Sequence, residues 1–418
     1  MASSLRGSLL RLPKFQRGLP LLTAKLSSSS SNHLPLTTLT EEEQAIKDTA
    51  TRIATEKVAP LARKMDTESK LDPGLIKELF ANGLMGIEIP SKYGGTGAPG
   101  ILSTALVVEA IAQQDPTVGS FVDAQNTIVI LPLLKYASEE IKAEVLPRLA
   151  TDSIGSFCLS ESGSGSDAFA MKTRAEKKDG DHYLLNGTKS WITSSEHARY
   201  FIVFANADPS KGYKGITAFL VDRDTPGLTV GPPEDKLGIR ASSTCPVIFE
   251  DVKVHESRIV GRLGEGYKIA INTLNEGRIG IGAQMVGVAA GAFEQAVRYT
   301  LERKQFGQAI FEFQGMQHQI AGAATEIEAA RLLVYNAARR AEAGQPFIKE
   351  AAMAKYYASE VAARTTGRAV EWMGGVGFTK ALLVEKFYRD AKIGQIYEGT
   401  SNILLNTVAR LVKSEMES

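Results

Sequence analysis

The stretch His182-Tyr183-Leu184-Leu185-Asn186-Gly187-Thr188-Lys189-Ser190-Trp191-Ile192 decides how the chain divides. Apolar and polar residues alternate on both sides of Asn186-Gly187, and an Asn-Gly pair between alternating runs is the strongest short-range hairpin signal. The expectation is a hairpin with strands over 182–185 and 188–192. Similar runs surround it at 155–159, 169–176, 200–205, 216–222 and 247–254, with no helical period between them. Short strands at such close spacing describe an antiparallel sheet or barrel, here a middle β domain over 154–262.

Outward from this domain the period is helical. Thr40 and Glu43 have the spacing of a capping box and open a helix with Ile46, Ala50, Ile53 and Ala54 on one face. Helical periodicity returns over 75–84 and 101–112, and less regularly over 131–149, giving an N-terminal helical domain over 36–153. The glycine-rich loop at 89–97 lacks the Lys-Ser or Lys-Thr pair of a phosphate loop and reads as a turn. After Gly264 the helical period resumes and lasts to the end. Long amphipathic helices are expected over 267–303, 314–343, 349–373 and 400–415, the first with Met285, Val288, Ala289, Ala292 and Ala296 inward. They read as an antiparallel four-helix bundle over 263–418. The fold class is α+β in the order helices, β domain, bundle.

At 418 residues the chain is long for one domain, and its 48 basic against 47 acidic residues give no overall field to attract nucleic acid. Cys158 and Cys245 are too few for a disulfide framework, and neither they nor the scattered His33, His182, His197, His255 and His318 have metal-ligand spacing, so no metal is expected. No uninterrupted apolar run reaches the ~18 residues of a membrane span. Arg6, Arg11, Lys14, Arg17 and Lys25 precede the first acid, Glu41, and are followed by the serine run 27–31. That is the composition of a mitochondrial transit peptide, so residues 1–35 are expected to be a leader outside the fold.

The candidate for chemistry is Ile396-Tyr397-Glu398-Gly399-Thr400-Ser401-Asn402. Glu398 is placed on a short turn, just before two hydroxyl residues able to cap the next helix. Burial beside Tyr397 would raise its pKa toward the ~6–7 that suits a general base; a solvated loop acid is the plainer alternative. A second stretch, Phe157-Cys158-Leu159-Ser160-Glu161-Ser162-Gly163-Ser164-Gly165-Ser166-Asp167, has the glycine spacing of a dinucleotide fingerprint. A Rossmann loop must open a helix, whereas 169–176 alternates, so this is a strand leading into an open, hydroxyl-lined loop. Trp191, next to Ile192 and Thr193 at a strand end, is placed either in the core or against a planar cofactor. Glu371-Trp372-Met373-Gly374-Gly375 ends a helix in glycines, a stop signal or a close approach to a large ligand.

Taken together with Ser91 to Gly95, Lys236 to Thr244, Arg303 to Gly307 and Arg389 to Asn402, these motifs resemble the acyl-CoA dehydrogenases over nearly everything after residue 40. The pattern is nearest to members acting on short branched-chain thioesters such as 2-methylbutyryl-CoA. The resemblance implies FAD held by Phe157 to Ser166 and by Trp191, Ile192 and Thr193, with Thr400, Ser401 and Asn402 returning to it beside Glu398, the base. It implies that Arg303, Gln314, Glu371, Trp372, Met373, Gly374 and Gly375 reach the FAD of a neighbouring subunit in a homotetramer. Acyl-CoA contacts are implied for Ser166, Tyr213, Tyr267, Asn275, Glu276, Gly277 and Arg278. Electron transfer flavoprotein is the implied partner and the mitochondrial matrix the implied location. Isovaleryl and long-chain relatives carry the base at the place of Gly277, and Ser162 stands where many relatives have proline. Glu276 is a neighbour of that place, but one residue turns a helical side chain by about 100°. A short straight-chain dehydrogenase, an acyl-CoA oxidase and a silent acyl-CoA-binding subunit are the alternatives. The oxidase is disfavoured because Met416-Glu417-Ser418 is not a peroxisomal Ser-Lys-Leu signal.

Overall fold

Thr40 opens the first helix through both bonds of the capping box: the Glu43 amide donates to its hydroxyl at 3.2 Å, and its own amide donates to the Glu43 carboxylate at 2.9 Å. The computed structural model describes residues 35–178 and 180–417, so the expected leader lies outside the described residues except for Pro35. The N-terminal region holds α1 (Glu41–Ile53), α2 (Ala62–Glu68), α3 (Pro73–Ala81), α4 (Gly100–Ala112), α5 (Pro116–Asp123), α6 (Leu131–Tyr136) and α7 (Glu139–Thr151). A π-helical stretch, Ala124–Ile130, joins α5 to α6. The resulting run over 116–136 is apolar and long enough to cross a membrane, but it is buried inside the protein.

The β region comprises β1 (Ile154–Cys158), β2 (Arg174–Lys177), β3 (His182–Thr193), β4 (Ala198–Asn206), β5 (Ile216–Asp222), β6 (Leu228–Val230), β7 (Thr244–His255) and β8 (Ile259–Val260). They form one sheet in the order β6-β7-β3-β2-β4-β5-β8, with β1 pairing off β4. Most pairings are antiparallel, but β1 and β2 each meet β4 in parallel, so the sheet is mixed. The strand expected over 169–176 contracts to β2, because 161–173 is drawn into an irregular loop around the Glu161 carboxylate.

No hairpin forms at Asn186-Gly187. β3 runs unbroken for 12 residues and pairs with β7 from His182 opposite His255 to Thr193 opposite Thr244. The register slips between Leu185, opposite Val252, and Gly187, opposite Phe249. There the Asn186 amide group donates to Asp251 Oδ1 at 2.9 Å, and the Asp251 backbone amide donates back to Asn186 Oδ1 at 2.8 Å. The Asn-Gly pair therefore makes a bulge. Gly187 is needed for packing, since a Cβ there would lie 2.8 Å from Thr173 Cα. One long partner strand buries Leu185 and Ile192 against the same core as Val247 and Phe249, which a turn at 186–187 would forfeit.

The C-terminal region contains α8 (Gly266–Glu302), α9 (Gln314–Glu342), α10 (Ile348–Met373), α11 (Val384–Ala391) and α12 (Ser401–Glu417). The α8 face read from the sequence is buried at Met285, Val288, Ala289, Ala292 and Ala296. α8 packs on α9 and α10 and on α4, so one core runs through both helical regions. The short α11 adds a buried ion triad: Lys386 Nζ is 2.8 Å from Asp115 Oδ1 and 2.6 Å from Asp390 Oδ2. Asp390 Oδ1 also accepts from the Ile239 amide at 2.6 Å, tying the loop before β7 to the bundle.

Candidate active site

A cleft of about 830 Å³ opens where the three regions meet. Glu398 enters it on the turn before α12, in a left-handed conformation with φ 50°, followed by Gly399 at φ 96°. A non-glycine residue in that region costs roughly 1–2 kcal/mol and persists only where its surroundings hold it. Lys355 of α10, with no exposed surface, donates to the carbonyls of Tyr397 at 2.8 Å and Gly399 at 2.7 Å. Thr400 caps α12 by accepting from the Ile403 amide at 3.3 Å.

The Glu398 carboxylate lies against Gly277 of α8, in space that any Cβ there would occupy. Its Oε2 has no hydrogen-bond partner among the described residues. Burial raises its pKa from 4.5 to about 7, opposed by the positive charges of Lys355 and Arg278. One turn along the same face of α8, Gly280 leaves room for the carboxylate of Asp123, whose acidity is suppressed by burial and by the negative charge of Glu398. Gln284, a further turn along, bonds the Tyr397 hydroxyl, and burial followed by the two nearby carboxylates pushes that phenol well up. Three residues of α8 at helical spacing thus receive three groups of the site.

The facing wall comes from the β region. Phe157 and Leu159 line the cleft, whereas Cys158 points the other way into the sheet core, where burial pushes its thiol up. A second register slip, between Lys189 and Ile192, puts Trp191 at φ 62° and turns its indole into the cleft, 59% exposed. Ile192, Thr193, Ser160, Gly165 and Ser166 complete this wall. Glu161 does not reach it. Its carboxylate accepts from Lys189 Nζ at 2.9 Å and from the Thr173 hydroxyl and the Lys172 and Thr173 amides, and so braces the loop from behind. Ser162, Gly163 and Ser164 lie outside the lining, Ser164 donating to the Asp167 carbonyl at 2.8 Å.

Tyr213 and Tyr267 stack edge to face with ring centroids 5.0 Å apart, and Tyr267 meets the cleft-lining Phe169 at 6.4 Å. Arg278 lines the cleft and donates to Asn275 at 2.8 Å, while its Nε has no partner among the described residues. Glu276 turns away, held by Lys135 at 2.5 Å. Arg303, Gln314, Glu371, Gly374 and Gly375 are exposed and do not line the cleft. Trp372 and Met373 are core residues, Trp372 donating to Gln319 at 3.0 Å, so their side chains are committed inside the bundle. Ser401 donates to Glu360 at 3.0 Å, and Asn402 is exposed.

Residues 40–153, 156–252 and 264–413 match in turn the N-terminal, middle and C-terminal domains described for acyl-CoA dehydrogenases. The chain belongs to the acyl-CoA dehydrogenase family. It is 59% identical over 391 residues to the mitochondrial short/branched chain specific acyl-CoA dehydrogenase of Bos taurus, covering 94% of this chain and 90% of that one. Among solved structures it is similar to butyryl-CoA dehydrogenase from Megasphaera elsdenii, with 40% identity, a TM-score of 0.88 and coverage of 90% of this chain and 99% of that one. It is also similar to a glutaryl-CoA dehydrogenase from Mycobacterium smegmatis in complex with FADH2, with 30% identity, a TM-score of 0.85 and coverage of 90% and 95%. This acyl-CoA dehydrogenase carries out FAD-dependent dehydrogenation of acyl-CoA thioesters.

Its cleft suits FAD: an exposed indole held in a left-handed bulge offers a flat apolar face, with the hydroxyls of Ser160, Ser166 and Thr193 on the same wall. Sequence reasoning missed Asp123 and Lys355, each lying in a helix whose other residues are mostly apolar or small. The faint signal for Asp123 was a lone acid in the apolar run 116–136; nothing local marks Lys355.

Proposed function

We propose that this acyl-CoA dehydrogenase removes hydrogen from Cα and Cβ of short branched-chain acyl-CoA thioesters such as 2-methylbutyryl-CoA, with Glu398 as the base. The carrying observation is the half-buried Glu398, its enclosed Oε2 without a hydrogen-bond partner among the described residues and its pKa raised to about 7, lining the same cleft as Trp191. A base with its pKa near the working pH combines a usable fraction of carboxylate with enough basicity to take the α-proton. Bound FAD supplies the acceptor for the hydride that leaves Cβ. The Glu398 backbone amide is the donor this chain offers to the thioester oxygen, a kind of interaction worth about 2.7–4 kcal/mol as negative charge grows there. Ile128, Ile281 and Tyr397 exclude water around the reacting carbons.

FAD contacts fall to the backbone of Phe157 to Ser166 and to Trp191, Ile192, Thr193 and the Thr400 to Asn402 turn. Cys158 and Glu161 act there through backbone or as support. Ser166, Tyr213, Tyr267, Asn275, Gly277 and Arg278 line the path of the acyl-CoA, with Glu276 anchored to Lys135. Arg303, Gln314 and the backbone of Glu371 to Gly375 serve the FAD of a neighbouring subunit in a homotetramer, a reading supported by their exposure. Electron transfer flavoprotein in the mitochondrial matrix takes the electrons, after removal of the leader at 1–35. The test is anaerobic reduction of the purified enzyme by a thioester panel of straight C4 to C8, isobutyryl-, isovaleryl- and 2-methylbutyryl-CoA. Fastest bleaching is expected with 2-methylbutyryl-CoA; fastest bleaching with butyryl-CoA would make this a straight-chain enzyme.

A further inference from the structure

Among the described residues three lysines are buried, and one differs from the other two. Lys189 and Lys386 each pair their ammonium group with carboxylates, Glu161 at 2.9 Å and Asp115 and Asp390 at 2.8 and 2.6 Å, Lys189 also donating to the Leu159 carbonyl at 3.0 Å. Lys355 directs its ammonium at two backbone carbonyls, those on either side of Glu398. Carbonyls two residues apart converge on one point only when the chain turns sharply between them, as φ 50° at Glu398 and 96° at Gly399 make it do. The peptides are trans, so a carbonyl of Tyr397 aimed at Lys355 sends the Glu398 N–H the opposite way. Glu398 lines the cleft and Lys355 does not, and that N–H has no acceptor among the described residues, which leaves it available to a ligand.

We propose that Lys355 is the positioning residue of the active site: it clamps the Tyr397 and Gly399 carbonyls so that both the carboxylate and the amide of Glu398 serve the substrate. This rests on the reading of Glu398 as the base. Ser359, one turn along α10, secures the preceding segment by donating to the Gly394 carbonyl at 2.8 Å, with no charge involved. The titratable and charged groups around the pair are Arg278 from α8, Asp123 from α5, Glu360 from α10 itself and Tyr397 from the turn. Burial lowers Lys355 to about 7, opposed by Glu398, just as burial raises Glu398 to about 7, opposed by Lys355. Removing the ammonium leaves the carboxylate with Arg278 alone against burial, so its pKa climbs.

The experiment compares FAD-loaded Lys355→Met, Lys355→Gln and Ser359→Ala with the parent enzyme. It follows the pH dependence of reduction by 2-methylbutyryl-CoA, the apparent KM, and amide hydrogen exchange over 393–404. For Lys355→Met the expected result is an about 100-fold slower reduction at pH 7 with KM changed only a few-fold. Its acid limb moves up by about one pH unit or more, and exchange quickens over 397–401. Lys355→Gln shows the same limb shift with slower exchange than Met, and Ser359→Ala quickens exchange without moving the limb. A parental rate and an unmoved limb in Lys355→Met overturn the proposal; should that variant fail to fold, the limb of Lys355→Gln decides on the same terms. An active Glu398→Gln brings down the reading of the base itself, whereas an inactive Glu398→Gln beside an unaltered Lys355→Met brings down only the role of Lys355.

Discussion

Gly277→Ala separates the positioning of the base from the stability of the fold. Position 277 is in the interior of α8, where alanine is favoured over glycine by about 1 kcal/mol, so helix propensity alone predicts a slightly more stable protein. The added methyl would overlap Glu398 Oε2 by about 1 Å relative to ordinary contact. It would also lie 3.2 Å from both Glu398 Cδ and Ile128 Cγ2. Ile128 lines the cleft from the π-helical stretch and is met at a distance a small shift relieves, so the carboxylate is the group that moves. A displacement on the order of 1 Å at a reacting group costs ~10²-fold in rate, equivalent to about 2.7 kcal/mol of transition-state stabilisation. The assay is stopped-flow bleaching of the flavin by 2-methylbutyryl-CoA, with thermal unfolding of the same preparation. A parental bleaching rate with an unchanged or raised melting temperature would refute the reasoning, because it would mean that Glu398 has room the structure denies it.

Three further outcomes are expected. The reduction rate should fall about tenfold per pH unit below pH 7, because Glu398, raised to about 7, must be deprotonated to accept the α-proton; a flat profile down to pH 5 would contradict this. Glu88, raised from 4.5 to about 7 by burial despite the Thr104 hydroxyl at 2.7 Å, should make the fold pH-sensitive. A raised folded pKa gives stability that is full below 4.5 and lost as pH climbs through 7, up to about 3 kcal/mol for that shift. Glu88→Gln should therefore stabilise at pH 8 and do little at pH 5, which urea unfolding at the two values checks. Asp390→Ala leaves Lys386 under-compensated and frees the Ile239 amide, so a loss of about 3–5 kcal/mol is expected, and an unchanged denaturation midpoint would deny the triad that weight.

What the sequence reveals and what it hides follow from the range of the forces involved. The capping box at Thr40 and the inward face of α8 are local patterns, and both stand as read. The turn at Glu398 was equally legible, since its glycine, hydroxyls and apolar neighbours lie within a few residues. Asn186-Gly187 misleads because the competing partner, β7, lies some sixty residues away and pairs across the place where a local turn was expected. Lys355 and Asp123 are hidden for the same reason: their meaning comes from the turn of α12 and the notches of Gly277 and Gly280, which only the packed helices bring together. Cys158 follows from strand alternation, a period of two that sends every second residue of Phe157 to Leu159 away from the cleft.

Glu398→Gln, mixed without oxygen with 2-methylbutyryl-CoA, tests the central claim most directly. The expected product is a yellow, folded protein that still binds the thioester but bleaches about 10³-fold more slowly than the parent. Bleaching at the parental rate would mean that another group takes the proton.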